Sequence, residues 1–311
     1  MKKNKILLIG YSQLSRKRLI NVFIKNKIQF SVASKSYLRK IEGAFEQFSN
    51  YNDALKNSNA NIAYISLPNS LHFYWSKKAL LSGYHVIVDK PICEKISETQ
   101  KLIDLAKRKK RLLSEAIFYN YHRQINEAKK IIKKRNDLKS LIAEFIIPFP
   151  KKNSLLMSNK LKGGTVMDMG PYASSLHRIF FNKKILSTNI QVKKNLKNLP
   201  ISFRIDIKYS KDQSYCGIFK FGGEYKNELS LFGKNRVILL KRVFSPPDNL
   251  KLSIKIINQK KVKILKIPYD NCFENYLSEL FEKINNKKFS FYLDQIKKDH
   301  LFRSKISRKI I

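Results

Sequence analysis

The residues of this chain best suited to chemistry lie in two stretches, KGGTVMDMGPY at 162–172 and VDKP at 88–91. In the first, Asp168 and Tyr172 stand four residues apart, the spacing that puts two side chains on one face of a helix. In the second, Lys90 precedes Pro91, which favours extended backbone at the end of a strand. A phenol can give a proton to an oxygen, and a nearby ammonium stabilises the phenolate, lowering the phenol's pKa from its usual value of about 10. A carboxylate one turn away can bind a hydroxyl or orient the phenol. Together these groups suit carbonyl reduction, in which the oxygen takes up a proton as hydride reaches the carbon. Taken singly, each has a plainer reading: a helix cap for Asp168, a core aromatic for Tyr172, one more solvated lysine for Lys90.

Such groups need a scaffold, and the apolar pattern supplies one. Short apolar runs at 5–10, 28–34, 63–68 and 85–91 read as strands. They alternate with helical spacing in YSQLSRKRLINVFIKN and at 71–82 and 97–110, which predicts an α/β domain with a doubly wound parallel sheet. LLSEAIFY at 112–119 reads as a buried strand leading out of it. From about residue 121 the pattern changes to a helix (INEAKKIIKK), a strand (SLIAEFIIP), the GGTVMDMGPY helix start and a series of strand-like segments to about 267. FRIDIKYS, YCGIFKFGG, NELSLFGK, RVILLKRVF and KLSIKIINQ show period-two alternation between turn residues, the mark of a large, mostly antiparallel open sheet. Amphipathic helices follow in ENYLSELFEKINNKK and LDQIKKDHLFRSKISRKI. The expected domains are 1–120 for the α/β part and 121–311 for an α+β part that binds substrate and pairs subunits.

The 311 residues suffice for two cores, and 43% apolar content with 12% aromatics argues against disorder. No run reaches the roughly 20 apolar residues of a membrane span, and MKKNKILLIG reads as a first strand rather than a signal peptide. Cys93, Cys216 and Cys272 are odd in number and lack metal-ligand spacing, so reduced thiols, a cytoplasmic setting and no metal are expected. The formal charge of +40 raises nucleic-acid binding as one reading. Lysines are spread through every segment, however, beside abundant Asn, Ile, Phe and Tyr, which favours compositional drift. A positive field still attracts anionic small molecules such as dinucleotides and nucleotide sugars.

A dinucleotide-binding turn carries GxGxxG after the first strand, because glycine lets backbone approach the pyrophosphate at a helix N-terminus. Here Gly10, Ser12 and Ser15 occupy those places, so Gly10, Ser12, Gln13 and Leu14 form the candidate turn. An ordinary strand-to-helix turn with serine caps remains the alternative. The second strand ends in Ser34 and Lys35, with Arg39 beyond. A hydroxyl and cations where an acid would bind the ribose favour NADP(H) over NAD(H).

ANIAYISLPNSLH at 60–72, SGYHVIVDKPI at 82–92 and GGTVMDMGPY at 163–172 resemble, in this order, the TPNxLH, GKHVLxEKP and GGxxxDxGxH segments of the Gfo/Idh/MocA oxidoreductases. The resemblance covers nearly the whole chain and implies an N-terminal Rossmann domain. It implies that Leu67, Pro68, Asn69 and His72 line the nicotinamide side and that Asp89, replacing glutamate, belongs to the cofactor site. Lys90 is the lysine that contacts substrate and nicotinamide ribose. Tyr172 stands where the pattern has histidine, which resembles the glucose-fructose oxidoreductase, dihydrodiol dehydrogenase and sugar ketoreductase branch. The catalytic set implied is Lys90, Asp168 and Tyr172, with Tyr172 as the acid and His177 as a competing acid on another helix face. Glu115, Tyr119, Tyr121, His122 and Arg123 resemble the EAxxYxxHPQ linker and are read as structural. NELSLFGKNRVILLKRVFSPP at 227–247 resembles the RxFxPP region of enzymes acting on nucleotide-linked sugars. The expected activity is NADPH-dependent reduction of a keto-sugar on a nucleoside diphosphate by a homodimer or homotetramer. A catalytically impaired sensor or scaffold that keeps the dinucleotide fold is the second reading, motivated by Ser12 and Ser15.

Overall fold

The structure, a computed structural model, describes residues 4–36, 39–135, 137–259 and 261–309. The chain forms two compact units, Met1–Ala116 with Tyr276–His300, and Ile117–Asn275 with Leu301–Ile311.

In the first unit the strands are β1 (Ile6–Ile9), β2 (Phe30–Ala33), β3 (Gln47–Phe48), β4 (Ile62–Ile65), β5 (His85–Asp89) and β6 (Leu113–Ala116). They form one sheet in the order β3-β2-β1-β4-β5-β6, every pair parallel. β1, β2, β4 and β6 are buried along their whole length, as expected when helices cover both faces of a parallel sheet. The helices are α1 (Ile20–Lys25, preceded by a π-helical turn at Ser15–Leu19), α2 (Tyr51–Asn57), α3 (His72–Leu81) and α4 (Ile96–Lys109). β1 pairs with β2 on one side and β4 on the other, so the strand order reverses there. Ile9 aligns with both Ala33 and Ile65, which brings three strand ends and the turns after them to one sheet edge. Ligands bind at such switch points in open α/β sheets.

In the second unit α5 (Arg123–Arg135) is followed by β7 (Ser140–Ile147) and α6 (Thr165–Leu176). β8 (Ser187–Lys194), β9 (Pro200–Ser210), β10 (Gln213–Phe221), β11 (Lys226–Phe232), β12 (Arg236–Lys241), β13 (Leu252–Asn258) and β14 (Lys261–Ile267) complete the sheet. The eight strands run β14-β13-β12-β11-β7-β10-β9-β8, antiparallel except where β7 pairs with β10. Alternate residues such as Leu141, Ala143 and Phe145 turn into the core, where they join α6 through Val166, Met169 and Ala173. The last helices are α7 (Cys272–Asn285) and α8 (Ser290–Ser307).

The fold class is the one read from the sequence. Local features differ from that reading, among them the two-residue strand β3. The strand expected at 112–119 stops at Ala116, and Phe118–Tyr121 form a helical turn. α2 was not anticipated: its seven residues are too few for a periodic signal, and its stabilising feature is local, the Asn50 side chain accepting from the Asn52 N–H at 2.8 Å. Residues 276–300, read as part of the second domain, group with the first unit.

Candidate active site

The chain turns sharply after β1. Gly10 has φ +94°, and a Cβ there would sit 2.2 Å from the Ser66 carbonyl oxygen. Only glycine fits, because the turns after β1 and β4 nearly touch. Ser12 caps the helix that follows: its Oγ accepts from the Ser15 N–H at 3.2 Å and its carbonyl from the Arg16 N–H at 3.0 Å. Gln13 is exposed and Leu14 half-buried at this helix start. The serine hydroxyls fold inward. Ser12 Oγ lies 2.7 Å from Ser66 Oγ, and Ser15 donates to Ser66 at 2.8 Å. A tight glycine turn leading into a capped helix N-terminus fits a dinucleotide pyrophosphate.

At the end of β2, Ser34 is buried and its N–H bonds the Phe48 carbonyl, so its side chain is less accessible than the sequence implied. Lys35 and Arg39 are exposed. The Lys35 ammonium sits 5.3 Å from the centre of the Tyr51 ring, which stands edge-on to Trp75 at 5.0 Å. A cation held on an aromatic face at this strand end fits a 2′-phosphate.

The turn after β4 presents Leu67, Pro68 and Asn69, all half-buried. His72 does not face outward: it is fully buried, with Nδ1 2.7 Å from the Pro91 carbonyl and Nε2 2.8 Å from the Leu67 carbonyl. It ties the turn after β4 to the one after β5. Asp89 likewise has both carboxylate oxygens bonded within the protein, Oδ1 by Tyr64 OH at 2.5 Å and Oδ2 by Ser66 at 2.8 Å. Burial pushes the Asp89 carboxyl up, while the Tyr64 and Ser66 hydroxyls, then His72 and Lys90, act in the opposite direction. Lys90 follows at the strand end, and its peptide bond to Pro91 is cis. The buried Glu115 accepts from the Ile92 N–H at 3.0 Å and fixes the far side of this turn.

In the second unit, α6 begins at a built corner. A Cβ on Gly163 would lie 2.5 Å from the Leu156 carbonyl, and Gly164, at φ +90°, precedes the first helical residue. Asp168 is in the first turn, so it is no N-cap. Asp168 and Tyr172 are partly exposed while Met169, Gly170, Pro171 and Ala173 are buried, so the pair shares the outer face. The Tyr172 ring packs against Tyr119 (5.7 Å), Phe145 (5.5 Å) and Phe244 (5.3 Å). Its ring is thus held by an aromatic wall that leaves it partly exposed. The sequence marked Tyr119 as structural and reached Phe244 only as part of RxFxPP; a sheet neighbour such as Phe145 carries no local signal.

His177 bonds Tyr209 OH at 2.7 Å and stacks on Phe302. Buried His122 lies 3.8 Å from Asp270, which accepts from the N–H of the exposed Arg123 at 2.6 Å and from the Asn275 amide at 2.9 Å; the same amide bonds the Tyr121 carbonyl at 3.0 Å. Among the described residues no group of three His, Cys, Asp or Glu could hold a metal ion, and no helix is long and apolar enough to cross a membrane.

A parallel sheet with its order reversed at β1 and a glycine-dependent turn at its edge are the marks of a dinucleotide-binding fold. Residues 5–117 match the model of the Gfo/Idh/MocA oxidoreductase family, NAD-binding Rossmann fold. The chain is 27% identical over 223 residues to a dTDP-3,4-didehydro-2,6-dideoxy-alpha-D-glucose 3-reductase of Streptomyces antibioticus, covering 70% of this chain and 67% of the relative. It is 30% identical over 135 residues to the D-xylose 1-dehydrogenase (NADP(+)) 2 of Haloferax volcanii, covering 43% of this chain and 42% of that one. In fold it is similar to KijD10, a 3-ketoreductase from Actinomadura kijaniata crystallised with NADP and TDP-benzene, with TM-score 0.92, 16% identity, and 99% and 98% of the two chains covered.

Proposed function

We propose that this chain is an NADP(H)-dependent reductase of a keto-sugar carried on a nucleoside diphosphate, with Tyr172 as proton donor. The observation that carries the reading is the shared outer face of Asp168 and Tyr172, with the phenol ring fixed by three aromatic neighbours. Similarity to a dTDP-sugar 3-reductase over two thirds of its length supports the substrate class. The Lys35 ammonium, and the absence of an acid where a ribose 2′-hydroxyl would be read, supports NADP(H).

When bound, a nicotinamide cofactor would supply the hydride for the carbonyl carbon. Tyr172 gives its hydroxyl proton to the carbonyl oxygen, and the aromatic wall fixes where that proton is delivered. Asp168 binds a sugar hydroxyl or orients the phenol. Lys90 is assigned to oxygens of the substrate and the nicotinamide ribose, where an ammonium stabilises negative charge. The turn of Gly10, Ser12, Gln13 and Leu14 holds the pyrophosphate, with Leu67, Pro68 and Asn69 along the nicotinamide side. Asp89 and His72 hold the two turns in register. The excess of 63 basic over 23 acidic residues draws in both anionic ligands. A cytoplasmic homodimer or homotetramer is the proposed setting.

Ser12 and Ser15 favour one other reading, a dinucleotide-fold sensor that no longer turns over. Titration with NADPH and with NADH, followed by Trp75 fluorescence, separates the two. The enzyme reading expects tight NADPH and weaker NADH binding. Failure of both to bind at millimolar concentration would remove it.

A further inference from the structure

Three serines and a carboxylate meet beneath the dinucleotide turn, drawn from three places far apart in the chain. Ser12 Oγ lies 2.7 Å from Ser66 Oγ and 3.1 Å from Ser15 Oγ. Ser15 Oγ donates to Ser66 Oγ at 2.8 Å, and Ser66 Oγ donates to Asp89 Oδ2 at 2.8 Å. Tyr64 OH holds the other Asp89 oxygen.

Counting protons gives the inner part of this chain a direction. Each hydroxyl has one proton and can accept twice. The single Ser66 proton goes to Asp89, because an ionised carboxylate can only accept. Ser66 therefore accepts from Ser15 and, when the Ser12 proton points to it at 2.7 Å, from Ser12 as well, which saturates it. Ser15 and Ser66 are buried at 0% and 2% exposure, whereas Ser12 is half-buried. The half-buried Ser12 can turn its proton inward, to Ser66 at 2.7 Å or to Ser15 at 3.1 Å, or outward to an acceptor bound at the turn. Turning outward removes one of the two donors to Ser66, which weakens the polarisation of the bond from Ser66 to Asp89.

We infer that Ser66 is a positioning residue that couples the turn after β1 to Asp89, and through Asp89 to the strand end carrying Lys90. The serines at 12 and 15 are then working parts of the turn rather than eroded glycines. Ser12 is the hydroxyl that reaches a phosphate oxygen, Ser15 and Ser66 aim it, and Asp89 anchors the lysine next to it. The functional meaning of the coupling rests on the dinucleotide reading above; the coupling itself does not.

The test is a double-mutant cycle on the full-length protein without added nucleotide, using Ser12→Ala, Asp89→Asn and the double variant, read as thermal midpoints. Residues that share no contact are additive, and Ser12 and Asp89 are joined only through Ser66 in the bonds described above. Coupling predicts that the double variant loses clearly less than the sum of the two single losses, and that the same cycle in a Ser66→Ala background becomes additive. Ser66→Thr, which keeps the hydroxyl, preserves the non-additivity and covers the case in which Ser66→Ala does not fold. Additive losses in the Ser66 protein overturn the inference.

A second arm follows NADPH binding through Trp75. Restoring glycine at both places, Ser12→Gly with Ser15→Gly, is expected to weaken NADPH about tenfold, whereas tighter binding would mean that the serines are impediments and would overturn their assigned role. If the apo cycle is non-additive and no variant, wild type included, binds NADPH, the coupling stands and the proposed function fails.

Discussion

A phenol differs from a phenyl ring by one oxygen, and the proposed reaction needs that oxygen. Tyr172→Phe keeps the ring against Tyr119, Phe145 and Phe244. It should lower kcat by about 10²- to 10⁴-fold, the usual worth of a general acid, with NADPH affinity unchanged. Steady-state kinetics and a cofactor titration check both halves. Lys35→Glu puts an acid where a 2′-phosphate would lie and removes the cation over Tyr51. The ratio of NADPH to NADH affinity should fall by at least about tenfold, since the change swaps attraction for repulsion; an unchanged ratio would mean the phosphate is read elsewhere. At this scale the sequence was informative wherever spacing alone carries meaning, as for Asp168 with Tyr172. It was uninformative about direction. Whether a hydroxyl at Ser12 points to a ligand or back to Ser66 depends on a strand 54 residues away. His72 and Asp89 carry the right residue types for a ligand site, yet their polar atoms bond within the protein.

Two glycines, one in each unit, have roles that differ. Gly10→Ala would force a Cβ to 2.2 Å from a carbonyl oxygen at a left-handed φ. It should destabilise by at least about 1–3 kcal/mol and weaken NADPH, because the turn must open. Gly170 lies inside α6 with ordinary φ, and the nearest atom to an added Cβ is 3.7 Å away on Arg303. Gly170→Ala should stabilise by about 0.5–1 kcal/mol through helix propensity. Urea midpoints of the two variants should therefore move in opposite directions, and movement in the same direction would undercut this account of the turn. The strands of the first sheet were legible as continuous apolar runs, and those of the second as alternation. The parallel pairing of β7 with β10 was not, because neighbours in a sheet are chosen by tertiary packing and both strands alternate alike.

For the molecule as a whole, stability should depend on pH through His85. Its Nδ1 accepts from the Leu112 N–H at 2.9 Å, so the native ring must stay unprotonated there. Burial, and then the neighbouring Arg111, bring its pKa down from 6.5 to about 4. The unfolded chain therefore binds more protons than the native one between pH 4 and 6.5. The His85 contribution is fully present above pH 6.5 and is lost progressively as pH falls to about 4. His85→Asn retains an acceptor for Leu112 and cannot titrate, so its thermal midpoint should fall less steeply over that window; parallel curves would show that other groups set the slope. The central claim is that this protein reduces a nucleotide-linked keto-sugar with NADPH and a proton from Tyr172. Its most direct test is NADPH consumption, followed by near-ultraviolet absorbance, with a nucleoside-diphosphate-linked 3-keto-sugar and either wild type or Tyr172→Phe. The account predicts steady consumption by the wild type and almost none by the variant. No consumption by an NADPH-bound wild type contradicts the proposed substrate class, and equal rates in the two proteins contradict the role of Tyr172.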